Sequence, residues 1–398
     1  MGDHRPVPQL TDDERRARLA VRHRLVPSRR DDDIARLCDD LVALHSTDPV
    51  TVYLSALARM RHPDRAVVET ALYKQRTVIR HHAMRRTLWV ATPAVVRQIH
   101  AAATSGLVVR ERNRVRAWLV EADIEDPDAW LAEARRQTVD YLHEHGPTSA
   151  RTLGQQVPAL RQPLVIAAGT KWQATVSAHT RVILLLGFEG KILRGPPHGS
   201  WVSGAYRYVA ADRWLTGGLG NLDQREAASD LADHWLRRFG PGTTTDLQWW
   251  MGWTAATTKR ALADAGAVPV ELADGSGWVA ATDEGTPEAE PWVALLPSLD
   301  PTTMGWKQRS WYLPEAAADS FDRRGNAGPT IWVDGRVVGA WAQTGDGEIV
   351  LHFFERVTAD RRRQVEARAA ELRSWVGDTR FTVRFPGIVD PLVRGTAR

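Results

Sequence analysis

The chain has 398 residues, of which 43% are hydrophobic and 25% are charged. Because one hydrophobic core stops growing well below this length, we expect two to four domains. The composition is that of a folded globular protein and excludes a largely disordered or fibrous chain. The net charge of +4 is small for this length, so any nucleic-acid-binding surface must be local.

The single cysteine, Cys38, excludes a disulfide framework and thiolate-bound zinc or iron–sulfur centres. It indicates a reducing compartment, and we expect a cytoplasmic, nucleoid-associated protein. The longest apolar run, residues 182–188, is far shorter than the roughly 20 residues that span a bilayer. The first residues, MGDHRPVPQLTDDERR, contain no apolar signal region. We therefore expect neither secretion nor a membrane partner.

The N-terminal part of the chain predicts several helices in succession. Residues 11–14 match a capping box, which predicts a helix that runs until Pro27. A second helix follows an acidic cluster and is predicted to end near His45. The pair Asp48-Pro49 is an N-cap followed by a first-turn proline, so a third helix should begin there. A fourth helix is predicted over residues 64–75.

A basic hairpin is predicted after these helices. Residues 77–80 and 87–90 are β-prone and are joined by a positively charged segment. Such a hairpin suits contacts with a nucleic-acid groove or backbone, although a solvated hairpin explains it equally well. The candidate DNA-binding residues are His81, His82, Arg85 and Arg86.

A weak internal repeat occupies the middle of the chain. A Gly-Pro pair, at 146–147 and again at 240–241, ends one helix, and hydroxyl residues then begin the next. Each corner is followed by a further helix and by β-prone runs with glycine turns. The candidate wings are residues 192–194 with 201–208 and residues 268–272 with 277–281. With the N-terminal helices and hairpin, this predicts three winged-helix units.

Strand signals dominate from residue 291 onward. Asp334-Gly335 is a strong two-residue hairpin signal, and one helix is predicted over residues 359–375. The predicted strands are residues 292–296, 330–333, 336–341, 348–354 and 381–384. The segment therefore predicts a small β-barrel or sheet domain.

The turn His45-Ser46-Thr47-Asp48 is the candidate catalytic turn. It lies at the amino end of a predicted helix, where backbone amides bind anions and lower the pKa of a histidine. A neutral His45 could accept a proton from a water molecule that Thr47 and Asp48 position. Helix capping by Thr47 and Asp48, with His45 as an ordinary turn residue, explains the same residues. Both interpretations stay open on the residues alone.

Several blocks of sequence carry a resemblance to a known family. They are LVALHSTDP at 41–49 with YLSALAR at 53–59, MRRTLWV at 84–90, DLQWWMGW at 246–253, LLPSLDPTTMGWKQRSWYL at 295–313, and GNAGPTIWVDGRVVGAW at 325–341. In these blocks, which extend over nearly the whole chain, the protein resembles the AlkZ/YcaQ-type bacterial winged-helix DNA glycosylases.

The resemblance implies an α+β fold of tandem winged-helix domains in a C-shaped arrangement with a C-terminal β-barrel-like domain. With the patterns above it gives four expected domains: winged helix 1 with the catalytic turn and basic hairpin (10–120), winged helix 2 (121–220), winged helix 3 (221–285) and a β-rich domain (286–398). Members of the family remove alkylated purines from DNA, including bulky or crosslinked ones. We therefore expect a monomer that acts on alkylated double-stranded DNA without a metal or organic cofactor.

The resemblance also implies roles for the candidate residues. The family's catalytic turn usually reads glutamine, an apolar residue, then glutamine or aspartate, just before Asp-Pro; the matching positions here are His45, Ser46 and Thr47. His45 and Thr47 would then hold the attacking water in place of the amides. Asp48 would fix the helix start or offset developing positive charge, and the two arginines of the hairpin would clamp the DNA backbone.

Two alternatives to a glycosylase are also compatible with the sequence. A non-catalytic winged-helix regulator would read sequence through a recognition helix and lose affinity when its operator is scrambled, whereas a glycosylase should bind undamaged DNA weakly and with strong salt dependence. A scaffold for protein contacts would not bind DNA even at low salt. None of the five lysines lies in the turn, so we expect a monofunctional glycosylase without a Schiff base.

Overall fold

A computed structural model describes residues 7–396. The helices and strands of these residues fall into four consecutive groups. In each of the first three groups, helices precede a β-hairpin, as the sequence predicts. The assignment of these groups as winged helices, their C-shaped arrangement and the four domain boundaries stay predictions.

The first group, residues 7–104, places helices around a small antiparallel sheet in which β3 is the central strand. Its elements are α1 (Asp12–Arg22), α2 (Ile34–Asp40), β1 (Leu44–His45), α3 (Pro49–Leu57), α4 (Arg65–Glu69), β2 (Ile79–His82), β3 (Leu88–Ala91) and α5 (Pro93–Ile99). Short π-helical turns extend α4 over Thr70–Lys74 and α5 over His100–Thr104.

Local sequence signals determine where most helices of this group begin. The capping box between Thr11 and Glu14 is present at the start of α1, and α3 begins at Pro49 as predicted. The prediction that the second helix reaches His45 is wrong. Helix α2 ends at Asp40 and Val42 takes a positive φ of 58°, so the chain turns and His45 pairs with Trp89 in the sheet instead.

The second group, residues 105–223, has its own apolar core. Its elements are α6 (Ser105–Glu121), α7 (Pro127–His145), β4 (Thr148–Ser149), α8 (Ala150–Gln156), β5 (Pro163–Ile166), β6 (Ala174–Ser177), α9 (His179–Phe188), β7 (Ile192–Pro197), β8 (Tyr206–Ala210) and α10 (Ala211–Trp214). The predicted corner is confirmed: α7 ends before Gly146, which has a positive φ, and the Ser149 hydroxyl caps α8.

The third group, residues 224–279, repeats this corner. Its elements are α11 (Gln224–Phe239), α12 (Thr244–Met251), α13 (Ala255–Asp264), β9 (Val268–Leu272) and β10 (Gly275–Val279). Thr243 and Asp246 form a capping box at the start of α12. Strands β9 and β10 pair as a hairpin close to the predicted wing.

The fourth group forms an open antiparallel sheet with the strand order β11-β12-β13-β14. Its elements are β11 (Val293–Leu296), β12 (Thr330–Val333), β13 (Arg336–Gln343), β14 (Ile349–Phe353), α14 (Ala359–Val376) and α15 (Asp390–Val393). The hairpin signal at Asp334-Gly335 is confirmed, since both residues have positive φ and connect β12 to β13.

The prediction of a C-terminal β-barrel is wrong for the described residues. Strand β14 does not pair with β11, and four strands are too few to close around a packed interior. The predicted fifth strand, residues 381–384, is irregular. This segment leaves the sheet, and the backbone N–H of Arg384 donates to Asp48 in the first group.

The fourth group is joined to the first through a buried ion pair. The Arg59 guanidinium, just after the C-cap of α3, donates to both carboxylate oxygens of Asp300 at 2.7 and 2.8 Å, and both side chains are fully buried. Arg59 also donates to the Thr302 hydroxyl at 2.7 Å. One apolar cluster continues from the first group through the third into the fourth. Helix α3, which follows the candidate turn, is therefore held rigidly.

Within residues 7–396, no helix is both long and apolar enough to cross a membrane.

Candidate active site

The candidate turn is held to strand β3 by backbone and side-chain hydrogen bonds. The Ser46 N–H donates to the Leu88 carbonyl at 2.7 Å. The Leu88 N–H in turn donates to the Thr47 hydroxyl at 3.4 Å, a long and weak contact. Three residues of the turn are buried, and Thr47 is the partly exposed one. The structure therefore presents Thr47, rather than His45, to solvent.

His45 supports the turn from behind. The residue is 3% exposed, its ring centroid lies 4.6 Å from that of Trp89, and its Nδ1 accepts the Thr47 N–H at 3.3 Å. Burial, with a smaller effect of the Arg85 charge, lowers the pKa of His45 to about 3. The ring is therefore neutral near pH 7, and its proton is on Nε2 because Nδ1 is the acceptor. The lone pair that would take a proton from water is already engaged.

A second buried side chain, Arg80, fixes Ser46. Its Nε donates to the Ser46 hydroxyl at 2.7 Å and its Nη1 donates to the Tyr73 hydroxyl at 2.8 Å. The guanidinium also lies 4.4 Å from the centre of the Tyr206 ring, a cation–π contact. No carboxylate of the described residues forms a salt bridge with Arg80. Aromatic faces and hydroxyls stabilise this buried cation.

Asp48 occupies the N-cap position of α3 without capping it through its side chain. Its carboxylate instead accepts the Arg384 N–H at 3.0 Å. Burial raises the pKa of Asp48 above the ordinary value, while this hydrogen bond and the Arg384 charge act in the opposite direction. Asp48 thus attaches the irregular C-terminal segment to the start of α3.

A pocket of about 230 Å³ opens at Thr47. Its walls come from the turn, the basic hairpin, the strands β7 and β8 and the C-terminal segment. The lining residues are Thr47, His82, Arg86, Thr87, Leu88, Arg194, Gly204, Tyr206 and Arg384. His45 and Asp48 lie behind this surface. Thr47 and three arginines therefore line the pocket, and no carboxylate is among its lining residues.

The predicted hairpin residues have different environments. Arg86 is exposed, lines the pocket and forms a salt bridge with Glu111 at 2.7 Å. Arg85 packs 4.2 Å from the Trp249 ring, away from the pocket lining. Burial, with the Arg309 charge, lowers the pKa of Arg85 to about 10. Both arginines have positive φ, so the hairpin connection is tightly wound.

The two histidines of the hairpin are buried. Their positions do not fit the expectation that both contact DNA at the surface. His81 is 3% exposed, and its Nε2 lies 3.2 Å from Nδ1 of His100. His82 is 7% exposed and packs against Phe188, but its edge reaches the pocket. Strand β2 is buried at every position, so polar residues there do not form an outer face.

The sequence patterns missed two arginines of the pocket. Arg194 belongs to a predicted wing and Arg384 to a predicted strand. Neither prediction assigns the arginine a role in DNA binding or catalysis. An ideal Cβ at Gly204 would lie 2.7 Å from Nη2 of Arg384. The glycine therefore leaves the room that this guanidinium occupies. Neither arginine forms a salt bridge within residues 7–396, so both charges are open to an anion such as a DNA phosphate.

No group of three or more His, Cys, Asp or Glu side chains within residues 7–396 is arranged to hold a metal ion.

Comparison with solved structures defines the class of fold. The chain superimposes on the "Streptomyces sahachiroi DNA glycosylase AlkZ" with a TM-score of 0.70, covering 94% of this chain and 99% of that chain. The two sequences are 18% identical, so this comparison establishes the fold alone. No curated protein sequence matches this chain.

The sequence itself establishes the family. A family model described as "DNA glycosylase AlkZ-like" matches residues 38–375, and the chain belongs to this family of DNA glycosylases. The predicted family is thereby confirmed, with the activity class it implies, hydrolysis of N-glycosyl bonds in DNA repair. The matched range includes the turn and the hairpin and ends before Arg384.

Proposed function

We propose that the protein is a monofunctional DNA glycosylase that removes N7-alkylated purines, including bulky or crosslinked ones, from duplex DNA. We propose the pocket at Thr47 as its active site. The observation that carries this proposal is the position of Thr47, the partly exposed residue of the turn, in a pocket with three arginines and no carboxylate.

Hydrolysis of the N-glycosidic bond of an N7-alkylated purine requires few catalytic groups from the protein. An N7-alkylated purine is cationic, so cleavage of its C1′–N9 bond returns the bond's electron pair to the base, which leaves neutral. The oxygen of water forms the new bond to C1′ and its proton passes to solvent. Orientation of water and stabilisation of an oxocarbenium-like transition state are the main demands.

Thr47 is the residue we assign to water. Its hydroxyl can both accept and donate hydrogen bonds, and its one contact within the described residues is the weak one from Leu88. His45 is a positioning residue that fixes Thr47 through the Nδ1 contact. Because its imidazole is neutral, it adds no positive charge beside a developing oxocarbenium ion.

Asp48 and the arginines complete the proposed site. Asp48 lies behind the pocket surface and holds the backbone of Arg384 at the pocket. Arg86, Arg194 and Arg384 would contact phosphates of the strand that carries the lesion, since a guanidinium fits a phosphate through two N–H bonds. Arg85 would act indirectly by fixing the hairpin against Trp249.

The test uses the full chain and defined DNA duplexes. Duplexes that contain one N7-methylguanine, one bulkier N7 adduct or no lesion are incubated with the protein and then heated in alkali. We expect breaks at the lesion only, after alkali only and in excess of those in a protein-free sample, and no borohydride-trapped complex. A trapped complex would overturn the monofunctional mechanism. Absence of abasic sites with all adducts would overturn the substrate assignment and favour a binding protein without catalysis.

Removal of a pocket arginine should weaken DNA binding in a salt-dependent way. We expect Arg194→Ala and Arg384→Ala each to weaken binding to undamaged duplex roughly 3- to 10-fold and to reduce the slope of log K against log salt by about 1. Fluorescence anisotropy over a salt series measures both quantities. Arg363→Ala, at an exposed arginine of α14 outside the pocket, serves as the control. An unchanged salt slope in both pocket variants would contradict the phosphate contacts.

A further inference from the structure

A second, larger pocket lies between α3, β11 and α14. Its volume is about 710 Å³, within the range of roughly 300–1,000 Å³ that is usual for small-molecule sites. It lies at the interface between the first and fourth groups, and ligands often bind at interfaces between domains. None of its lining residues lines the pocket at Thr47. The two pockets are therefore distinct.

The floor of this second pocket is apolar. Leu54 and Met60 come from the first group, and Leu295, Trp341 and Leu372 come from the fourth. All five are buried. The indole N–H of Trp341 donates to the Leu296 carbonyl at 2.9 Å, so its ring is fixed and its polar atom is satisfied. The floor offers an apolar body a rigid surface without unpaired polar groups.

The rim of the pocket is cationic. It contains Arg30, Arg61 and Arg368, and a single carboxylate, Glu371, which pairs with Arg368. Within residues 7–396, neither Arg30 nor Arg61 forms a salt bridge. The Nε of Arg30 is buried and has no hydrogen-bond partner. The charges of Arg30 and Arg61 are therefore uncompensated, and an anionic group of a ligand would pair with them.

We propose that this pocket binds a small amphipathic anion, a molecule with an apolar, largely aromatic body and one carboxylate, sulfonate or phosphate group. The body packs on the floor formed around Leu295 and Trp341, and the anion lies between Arg30 and Arg61. A large apolar area with a few convergent charges fits a ligand of this class better than a nucleic-acid backbone, which would need a continuous cationic surface. The site is independent of the glycosylase activity.

The probes are 8-anilinonaphthalene-1-sulfonate and N-phenyl-1-naphthylamine, which share an aromatic body and differ in the sulfonate. We expect the folded full-length protein to bind the sulfonate probe with an affinity about tenfold higher than the neutral one, because a charge-assisted hydrogen bond favours the anion. Fluorescence titration measures both affinities. Equal affinities, or no saturable binding of the sulfonate probe, would overturn the proposal.

Variants test whether the probes bind in this pocket. Arg61→Glu should lower the affinity for the sulfonate probe at least fivefold and leave the affinity for the neutral probe nearly unchanged. Ala370→Trp places a large ring in the pocket and should lower the affinity for both probes. The matched controls are Arg362→Glu and Glu366→Trp, at exposed positions of α14 that do not line the pocket. Equal losses in the controls, or displacement of the probe by duplex DNA, would overturn the assignment.

Discussion

Exchange of Thr47 for valine is expected to lower the single-turnover rate of base release by roughly 10²- to 10³-fold, about 2.7–4 kcal/mol in activation free energy, the usual effect of losing a hydrogen bond specific to the transition state. Valine has nearly the shape of threonine and lacks the hydroxyl. Folding should be little affected, because the hydroxyl accepts only the 3.4 Å contact from Leu88 within the described residues. Quenched-flow or manual sampling with excess protein over a lesion-containing duplex measures the rate.

The control for this variant is Thr47→Ser, which keeps the hydroxyl and should stay within a few-fold of the native rate. Duplex affinity should be unchanged in both variants, because we assign DNA binding to the arginines. His45→Gln should retain much of the activity, since an amide can also accept the Thr47 N–H. A native rate in Thr47→Val would show that this hydroxyl does not orient the water.

A fall from pH 7 to pH 5 should destabilise the protein by up to roughly 10 kcal/mol, because the fold buries five imidazoles in their neutral form. Burial lowers the pKa of His45 and His82 to about 3 and that of His100 to about 4. Burial also lowers the pKa of His23 and His81 well below the ordinary value. Below pH 6.5 the unfolded chain binds protons at these rings and the native state does not, so stability is lost as pH falls.

Each imidazole that stays neutral contributes about 2 kcal/mol of this loss between pH 6.5 and pH 5. Asp40 and Asp48 act in the opposite sense, because burial raises the pKa of each and the native state then takes up their protons first. Urea unfolding over a pH series measures how the free energy of unfolding changes with pH. His100→Gln should reduce the proton uptake on unfolding at pH 5 by about one. A pH-independent stability from pH 7 to pH 5 would contradict the buried neutral rings.

The predictable parts of the fold are those that local chemistry decides. The capping box at Thr11, the hydroxyl caps after the two Gly-Pro corners and the turn at Asp334-Gly335 act over a few residues, so their sequence patterns are sufficient. Five strand signals and the family resemblance favoured a barrel, but the predicted strand at residues 381–384 does not form. That segment lies outside the sheet, and its Arg384 N–H donates to Asp48, 336 residues away in sequence, a contact that no local pattern predicts.

The candidate site likewise has some features that the local sequence predicts and others that depend on tertiary packing. The turn and the hairpin stand out because several polar residues lie together in the sequence. The exposure of each side chain depends on tertiary packing: His45 joins a two-residue strand against Trp89, and strand β2 buries His81 and most of His82. Arg194 and Arg384 join the site only through folding, so sequence spacing gave no signal for them.

We propose that the pocket at Thr47 holds the nucleotide whose N-glycosidic bond is hydrolysed. The most direct measurement is a crystal structure of the protein with a duplex that contains a pyrrolidine abasic nucleotide, a cationic mimic of the oxocarbenium-like transition state. We expect the pyrrolidine ring at the Thr47 hydroxyl, in contact through one water molecule, with the adjacent phosphates on Arg194 and Arg384. A pyrrolidine bound elsewhere on the protein, with the pocket at Thr47 free of DNA, would contradict this claim.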